Sequence, residues 1–259
     1  MKPIEVTLPQ DMKELLLYPI ADPHIGDGSS DLKSVKELIG KIACEPSAYV
    51  VLGGDLMNNA VKTGISDCYA ETMSPMEELA LACEILGPVA DKVLAAVPGN
   101  HEERTYRQDG IDLTRILARE LGFEDRYRED FAYLLLSFGL KSRMAAEGRR
   151  QSYTVYVNHG NGGGRKVGGK ANRLSDLGGI CDADLFLVGH THTPMVFKDS
   201  FIRATKNNAG AELVERTFVN TSGWLDYGGY GARRSFQPSS TSCPCVRLDG
   251  TKRKIEVIL

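Results

Sequence analysis

The chain of 259 residues contains five histidines, and every one lies within three residues of an Asp, Asn or Gly. They are His24 in Asp22-Pro23-His24, His101 in Gly99-Asn100-His101-Glu102, His159 in Asn158-His159-Gly160, and the pair in Gly189-His190-Thr191-His192. Neutral imidazole, carboxylate and amide oxygen are donors that divalent metals accept. Asp22, His24, Asp55, Asn100, His159, His190 and His192 therefore form a candidate ligand set, with Asp55 supplied by Gly53-Gly54-Asp55. A single such residue more often caps a turn or satisfies a buried polar group. The same donors recurring at five strand ends point to metal chemistry.

These ligands exceed the three or four of a tetrahedral zinc site. Two ions sharing a bridging carboxylate would use them all. Asp55 is the natural bridge, because the two glycines before it let the backbone approach closely. Two-metal sites hold their ions roughly 3.5–4 Å apart, clamp the attacking and leaving oxygens of a phosphoryl displacement, and bring a bound water to a pKa near 7. The chemistry expected is hydrolysis of a phosphoester by a metal-activated hydroxide.

The elements that must deliver these residues are legible from periodicity. Leu15–Ala21 reads as a strand ended by Asp22-Pro23-His24-Ile25-Gly26, since Pro and Gly force a loop there. Residues 31–43 carry Leu32, Val35, Leu38, Ile39 and Ile42 at helical spacing behind an Asp31 N-cap. Ala48–Leu52 is a second strand, ending at Asp55. A helix opens at Ser74-Pro75 with Met76, Leu79, Ala80, Cys83 and Leu86 as its apolar face. Val93–Val97 is a third strand, and residues 111–121 a third helix closed by Gly122. From Phe131 onward, Phe131–Phe138, Tyr153–Asn158, Asp184–Val188, Met195–Lys198, Glu212–Asn220 and Ile255–Leu259 read as strands, with 170–177 the one helix among them. The first half is a βαβαβα succession and the second is β-rich. Two sheets packed face to face, with helices outside, would bury both sets of strands. Ligands of open α/β sheets sit outside the carboxyl ends of strands, which gathers the candidates into one crevice.

Composition closes off other classes. Net charge is −3, so an anionic partner must be met by a local basic patch rather than by the whole surface. No apolar run reaches the 18 residues of a membrane span, and the N-terminus lacks a signal-peptide pattern. The six scattered cysteines are expected as reduced thiols of a cytoplasmic protein, with Cys243-Pro244-Cys245 one residue too tight for a zinc knuckle. No linker or repeat divides residues 1–259, so one domain is expected. Nothing in the sequence sets an oligomeric state.

Taken in order, Asp22-x-His24, Gly54-Asp55, Gly99-Asn100-His101-Glu102, His159-Gly160 and Gly189-His190-x-His192 resemble the five blocks of the calcineurin-like metallophosphoesterases. Phe218-Val219-Asn220-Thr221-Ser222-Gly223 resembles the strand and turn that follow the last block in many members. The resemblance implies an α/β fold, a four-layer αββα sandwich of two mixed β-sheets with flanking helices. It also implies that Asp22, His24 and His192 hold one metal with Asp55, while Asn100, His159 and His190 hold the other with the same Asp55. His101 would be no ligand, but would give a proton to the leaving oxygen or stabilise the transition state, work suited to an imidazole. Mn²⁺ is the ion expected in both positions, with Fe, Zn, Co and Ni accepting the same donors.

One departure bears on substrate. Ser/Thr phosphatases of the family place an Asp three residues beyond the bridging Asp, paired with the catalytic His, and then a phosphate-binding Arg. Here those places hold Asn58 and Asn59. Asn58 can orient His101 by a hydrogen bond but cannot raise its pKa as a carboxylate would. The missing Arg favours the phosphodiesterase and DNA-repair exonuclease branches, including phage relatives.

Two stretches could recognise such a substrate. Residues 161–173 interleave glycines with Arg165, Lys166, Lys170 and Arg173, a pattern suited to phosphates but without P-loop spacing. Tyr227-Gly228-Gly229-Tyr230-Gly231-Ala232-Arg233-Arg234 could stack bases and hold phosphates. The plain alternative for both is a solvated surface loop. Arg104 and Arg107 lie near His101, while Arg115 and Arg119 belong to a mixed charged helical face; Trp224 reads as a core anchor. The expected activity is hydrolysis of a phosphodiester, nucleic acid first and nucleotides or small diesters next. Phosphomonoester hydrolysis is the alternative, and a non-catalytic, metal-stabilised binding module the rival from another class.

Overall fold

The computed structural model describes residues 2–62, 68–69, 71–139, 150–205, 209–228, 232, 235 and 237–259. The strands are β1 (Ile4–Thr7), β2 (Glu14–Ile20), β3 (Ala48–Leu52), β4 (Val93–Ala96), β5 (Ala132–Phe138), β6 (Gln151–Asn158), β7 (Leu185–Val188), β8 (Met195–Ala204), β9 (Ala211–Asn220), β10 (Cys245–Asp249) and β11 (Ile255–Ile258). The helices are α1 (Leu32–Cys44), α2 (Pro75–Leu86), α3 (Glu102–Asp109), α4 (Leu113–Glu120) and α5 (Val167–Asp176).

Alternation along the strands dictates the layering. In β2, Leu15 and Leu17 face one way and Leu16 and Tyr18 the other; in β3, Val51 opposes Val50 and Leu52. Two sheets result. One has the order β11-β10-β2-β3-β4, with β2, β3 and β4 parallel; the other has the order β1-β5-β6-β7-β9-β8, with β6, β7 and β9 parallel. Leu15, Leu17, Val51 and Leu94 of the first meet Leu134, Leu136, Val155, Leu187 and Val219 of the second in a shared core. The outer face of the first sheet is covered by Val35, Ile39 and Ile42 of α1, by Leu79, Ala82 and Ile85 of α2, and by Leu113 and Leu117 of α4. Tyr156, Phe186 and Phe218 on the outer face of the second are covered by Leu174 of α5. The four-layer α/β sandwich expected from the sequence is the fold observed. Trp224 is buried in the α1–α2 layer, the anchor it was read to be.

Local rules explain the helix starts. Asp31 caps α1 by accepting from Ser34 N, and Ser74 with Glu77 forms a full capping box on α2, with Pro75 at the first turn. Three details differ from the sequence reading. The buried face of α2 is Glu78, Leu79, Ala82, Ile85 and Leu86, whereas Met76 and Ala80 are exposed and Cys83 half-buried. The helix is rotated because the Glu78 carboxylate turns inward to take Asn59 N at 2.8 Å. The third helix begins only at Leu113, after Gly110 at φ 70 has ended the separate, polar helix α3. β1 and β10 also join the sheets, β1 parallel to β5 and β10 antiparallel to β2, although neither carries a long apolar run. Among the described residues no helix is long and apolar enough to cross a membrane.

Candidate metal centre

The carboxyl ends of the parallel strands from both sheets point to one edge. Asp22 and His24 follow β2, Asp55 follows β3, Asn100 and His101 follow β4, His159 follows β6, and His190 and His192 follow β7. The loops are laced together by main chain: Asp22 N donates to Gly54 O, His24 N to Asp55 O, Gly189 N to His159 O and Trp224 N to Asp22 O, at 3.0–3.2 Å. Gly54 (φ +86) and Gly99 are required by this packing. A Cβ on Gly54 would lie 2.5 Å from Gly99 N, and one on Gly99 would lie 2.1 Å from Asp55 Oδ1.

Two clusters of donors form. Asp22 Oδ1 lies 3.2 Å from His192 Nε2, which is 3.1 Å from His24 Nε2. Asp55 Oδ2 lies 3.3 Å from His159 Nε2, which is 3.1 Å from Asn100 Oδ1 and 3.2 Å from His190 Nδ1. The same Asp55 Oδ2 is 3.9 Å from His24 Nε2, so the clusters abut at this carboxylate. His101 Nε2, 3.8 Å from Asp55 Oδ2, faces the same space, and His24, Asp55 and His101 also meet ligand spacing.

Ring orientations are set by carbonyls that can only accept. His159 Nδ1–H donates to Gly53 O at 2.8 Å, His190 Nε2–H to Gly162 O at 3.1 Å and His101 Nδ1–H to Asn58 O at 2.7 Å. That leaves His159 Nε2, His190 Nδ1 and His101 Nε2 turned toward the cluster. Fixing one ring nitrogen to aim the other is how metal-binding histidines are oriented. Carboxylates are held too. Asp22 Oδ2 accepts from His190 N at 2.9 Å and Asp55 Oδ1 from His101 N at 2.8 Å.

Charge is finely divided. Burial and the neighbouring His101 drive the His24 pKa well below its usual value, and burial lowers those of His101 and His190. Burial also opposes a charge on His159, but Asp55 outweighs it and lifts this ring to about 10; Asp22 does the same, more weakly, for His192. Burial would raise Asp55, yet His159, His101 and His24 hold it well below the carboxylate range. Imidazoles and carboxylates thus converge, a donor set that fits divalent cations. Backbone strain marks the same place. Asp22, His24, Asp55, Asn59, His190 and His192 all have positive φ, and among the described non-glycine residues only Ser235 shares it. Each such residue costs of order 1–3 kcal/mol and persists only where its surroundings over-determine it.

Glu102, part of the Gly-Asn-His-Glu block, acquires a role that its sequence position alone does not announce. Buried under the site, it takes Asp55 N and Gly99 N on Oε2 and Met57 N on Oε1, at 2.8–3.0 Å. Burial and the nearby Asp55 push its carboxyl up to about 7. Asn58 differs from expectation. Its backbone carbonyl, not its side chain, orients His101, while Nδ2 donates to Glu71 Oε1 at 2.6 Å. Asn59 is buried, with Nδ2 on His101 O and Oδ1 on Thr105 Oγ1.

The expected substrate groups are distributed more loosely. Arg104, half-buried, bonds the Asn58 and Asn59 carbonyls at 3.2 and 3.4 Å. Lys170 and Arg173 sit in α5, which begins three residues before the predicted 170; Lys170 Nζ donates to Thr191 O and Thr193 Oγ1, and Arg173 to Gly163 O. Arg165 and Lys166 are exposed. Arg107, Arg115 and Arg119 pair with Glu103, Glu124 and Glu120, as a charged helical face does. Tyr227 is exposed, and Tyr230, Arg233 and Arg234 lie outside the described residues.

A family model, calcineurin-like phosphoesterase, matches residues 18–194. Among solved structures the chain is similar to a metallophosphoesterase from Sphaerobacter thermophilus, at 12% identity over 91% of this chain and 84% of that one, TM-score 0.41. It is also similar to Vps29 from Chaetomium thermophilum, at 11% identity over 94% and 96%, TM-score 0.43. A third is GAP50, the anchor in the inner membrane complex of Plasmodium, at 11% identity over 95% and 84%, TM-score 0.46. No curated protein sequence matches it.

Proposed function

The chain belongs to the calcineurin-like phosphoesterase family and is a metal-dependent phosphoester hydrolase; on that premise we propose that it cleaves phosphodiesters, with nucleic acid as the leading substrate. The observation that carries the reading is the convergence of His24, His101 and His159 on Asp55 Oδ2, 3.3–3.9 Å away, with His190 and His192 behind them. In this reading Asp22, His24 and His192 hold one divalent ion with Asp55, and Asn100, His159 and His190 hold the other with Asp55. Bound there, the ions supply Lewis acidity and ionise a water at neutral pH. Mn²⁺ is the proposed ion.

The protein's own groups do the rest. His101, with Nδ1 tied back to Asn58 O, presents Nε2 to the reacting space. Burial lowers its pKa, which makes a proton held at Nε2 more acidic toward a leaving oxygen while shrinking the fraction of rings that carry it. Glu102 and the Asn59 side chain hold the loop beneath it. Arg104, Arg165, Lys166, Lys170 and Arg173 are the proposed substrate contacts. Asn59 is buried at the place where Ser/Thr phosphatases of the family carry a phosphate-binding Arg, which supports a diester. One observation favours a second reading: Arg104 brings a guanidinium to the same two residues, and it would serve a phosphomonoester. The six cysteines are free thiols, which supports the proposed cytoplasmic setting.

The test is a substrate panel on Mn²⁺-loaded protein: bis-p-nitrophenyl phosphate and its monoester, single- and double-stranded DNA, RNA, cyclic nucleotides and a phosphopeptide. Faster diester than monoester turnover, with nucleic acid cleaved best, is expected. Preference for the monoester or phosphopeptide overturns the diester reading. No turnover with metal bound would make the protein a binding module.

A further inference from the structure

We infer that Glu71 is a positioning residue for His101, acting through Asn58; the inference rests on the role proposed above for His101. The chain of contacts is short. His101 Nδ1 donates to Asn58 O at 2.7 Å, and the Asn58 side chain donates from Nδ2 to Glu71 Oε1 at 2.6 Å. Asn58 is 3% exposed, so its amide has no water with which to replace a lost partner. Its main chain is fixed from the other side by Asn58 N donating to Ile25 O at 2.8 Å. The carbonyl that sets the His101 ring therefore belongs to a residue held at its N–H by Ile25 O, at its carbonyl by Arg104 at 3.2 Å, and at its side chain by Glu71.

A second carboxyl stands behind the first. Glu71 Oε2 and Glu78 Oε1 are buried with no partner but one another, and the two carboxyls interact. Glu78 Oε2 takes Asn59 N at 2.8 Å, and Asn59 sits at φ 43. The 58–59 segment, which would spring back from that strained geometry, is thus gripped on consecutive residues by Glu71 and Glu78. Gly26 makes room: a Cβ there would lie 2.2 Å from Glu78 Oε1. The carboxylate that family phosphatases place directly on the catalytic His is absent at Asn58. Here a carboxylate enters from a different loop and acts one residue farther out.

A positioning role differs from a merely structural one by its dependence on His101. Glu71→Ala should lower kcat for bis-p-nitrophenyl phosphate about 5–20-fold, no more than the net worth of a single charge-assisted hydrogen bond, with KM and metal content unchanged. Glu71→Gln, whose amide oxygen still accepts from Asn58, should recover most of that loss. In a His101→Ala background, Glu71→Ala should add nothing, because the group it positions is gone. An equal further loss in that background, or a loss of bound metal in Glu71→Ala, overturns the inference. If His101→Ala itself leaves turnover unchanged, the proposed role of His101 falls first. If His101→Ala is slow and Glu71→Ala is not, the inference about Glu71 alone fails. Urea denaturation of Glu71→Ala is run alongside, so that kinetics are read only where the variant is folded.

Discussion

Two regions meet at the His190 ring. Its Nδ1 faces His159 in the ligand cluster, and its Nε2 donates to Gly162 O in the basic, glycine-rich stretch. On the first side four of the seven donors are buried and five are strained, and several are tied to the main chain of neighbouring loops. Asp22, His24, Asp55 and His159 lie at 5% exposure or less, and five of the cluster's backbones adopt positive φ. On the second side residues 161–169 are all exposed, Arg165 and Lys166 among them. The contrast separates two jobs. Chemistry needs donors fixed within fractions of an ångström, so the fold over-determines them. Recognition of an extended, charged substrate tolerates loose groups, because much of its energy comes from phosphate contacts that position without reading detail.

Substitutions on the two sides should separate in size. Asp55→Ala, which removes the carboxylate common to both clusters, should abolish bound metal and cut turnover by about 10³-fold or more, several kcal/mol at 1.36 kcal/mol per tenfold. Elemental analysis beside kinetics checks it; retained metal and activity would show that Asp55 does not join the clusters. His101→Ala should cost roughly 10²–10⁴-fold in turnover with metal retained. Loss of metal instead would make His101 a ligand, as its 3.8 Å approach to Asp55 allows. Gly99→Ala tests the over-determination itself. Its Cβ would strike Asp55 Oδ1, and the fold should lose about 1–3 kcal/mol in urea denaturation. An unchanged midpoint would mean that the two loops can part freely.

Stability against pH gives a smaller signal from the same buried side. Burial, with Glu71 and Glu102 nearby, raises Glu78 from 4.5 to about 8. Between those values the native chain keeps a proton that the unfolded chain has released. The slope of unfolding free energy with pH is then negative, so stability falls as pH rises through that window. Glu102, raised to about 7, adds a slope of the same sign. Metal-free Glu78→Gln should lose less stability than the parent between pH 5 and pH 8. Parallel curves for the two would contradict a Glu78 pKa raised by burial.

The smallest effect belongs to the exposed side. Charge-neutralising Arg165 and Lys166 should raise KM for oligonucleotides several-fold and flatten its salt dependence, with bis-p-nitrophenyl phosphate unaffected. Equal effects on both substrates would remove residues 161–173 from recognition. Lys170 is left out of this variant because its bonds to Thr191 and Thr193 brace the His190–His192 turn.

Legibility in the sequence follows the same division. Asp22, His24, Asp55, Asn100, His159, His190 and His192 were readable because short strands end at them and glycine or proline breaks the chain there. The two sheets were readable from the alternation of residues such as Leu15, Leu17 and Val51. What escaped depends on contacts between distant segments. Glu102, Glu78 and Glu71 are glutamates in ordinary polar stretches, and only folding turns them onto the amides of 55, 57, 59 and 99 and onto the side chain of Asn58. The helix α3 went unread because only Glu102 of its residues is buried, so it has no apolar stripe. That Asn58 bonds His101 is legible in the sequence, but not that its carbonyl does so, since a carbonyl carries no sequence signature.

The central claim is that two adjacent metal positions share Asp55. The most direct measurement is turnover of bis-p-nitrophenyl phosphate by metal-stripped protein, titrated with Mn²⁺ at protein concentrations well above the dissociation constants. Activity should be absent without metal and should climb to a plateau at two equivalents per chain. A plateau at one equivalent, or turnover in the stripped protein, would contradict the claim.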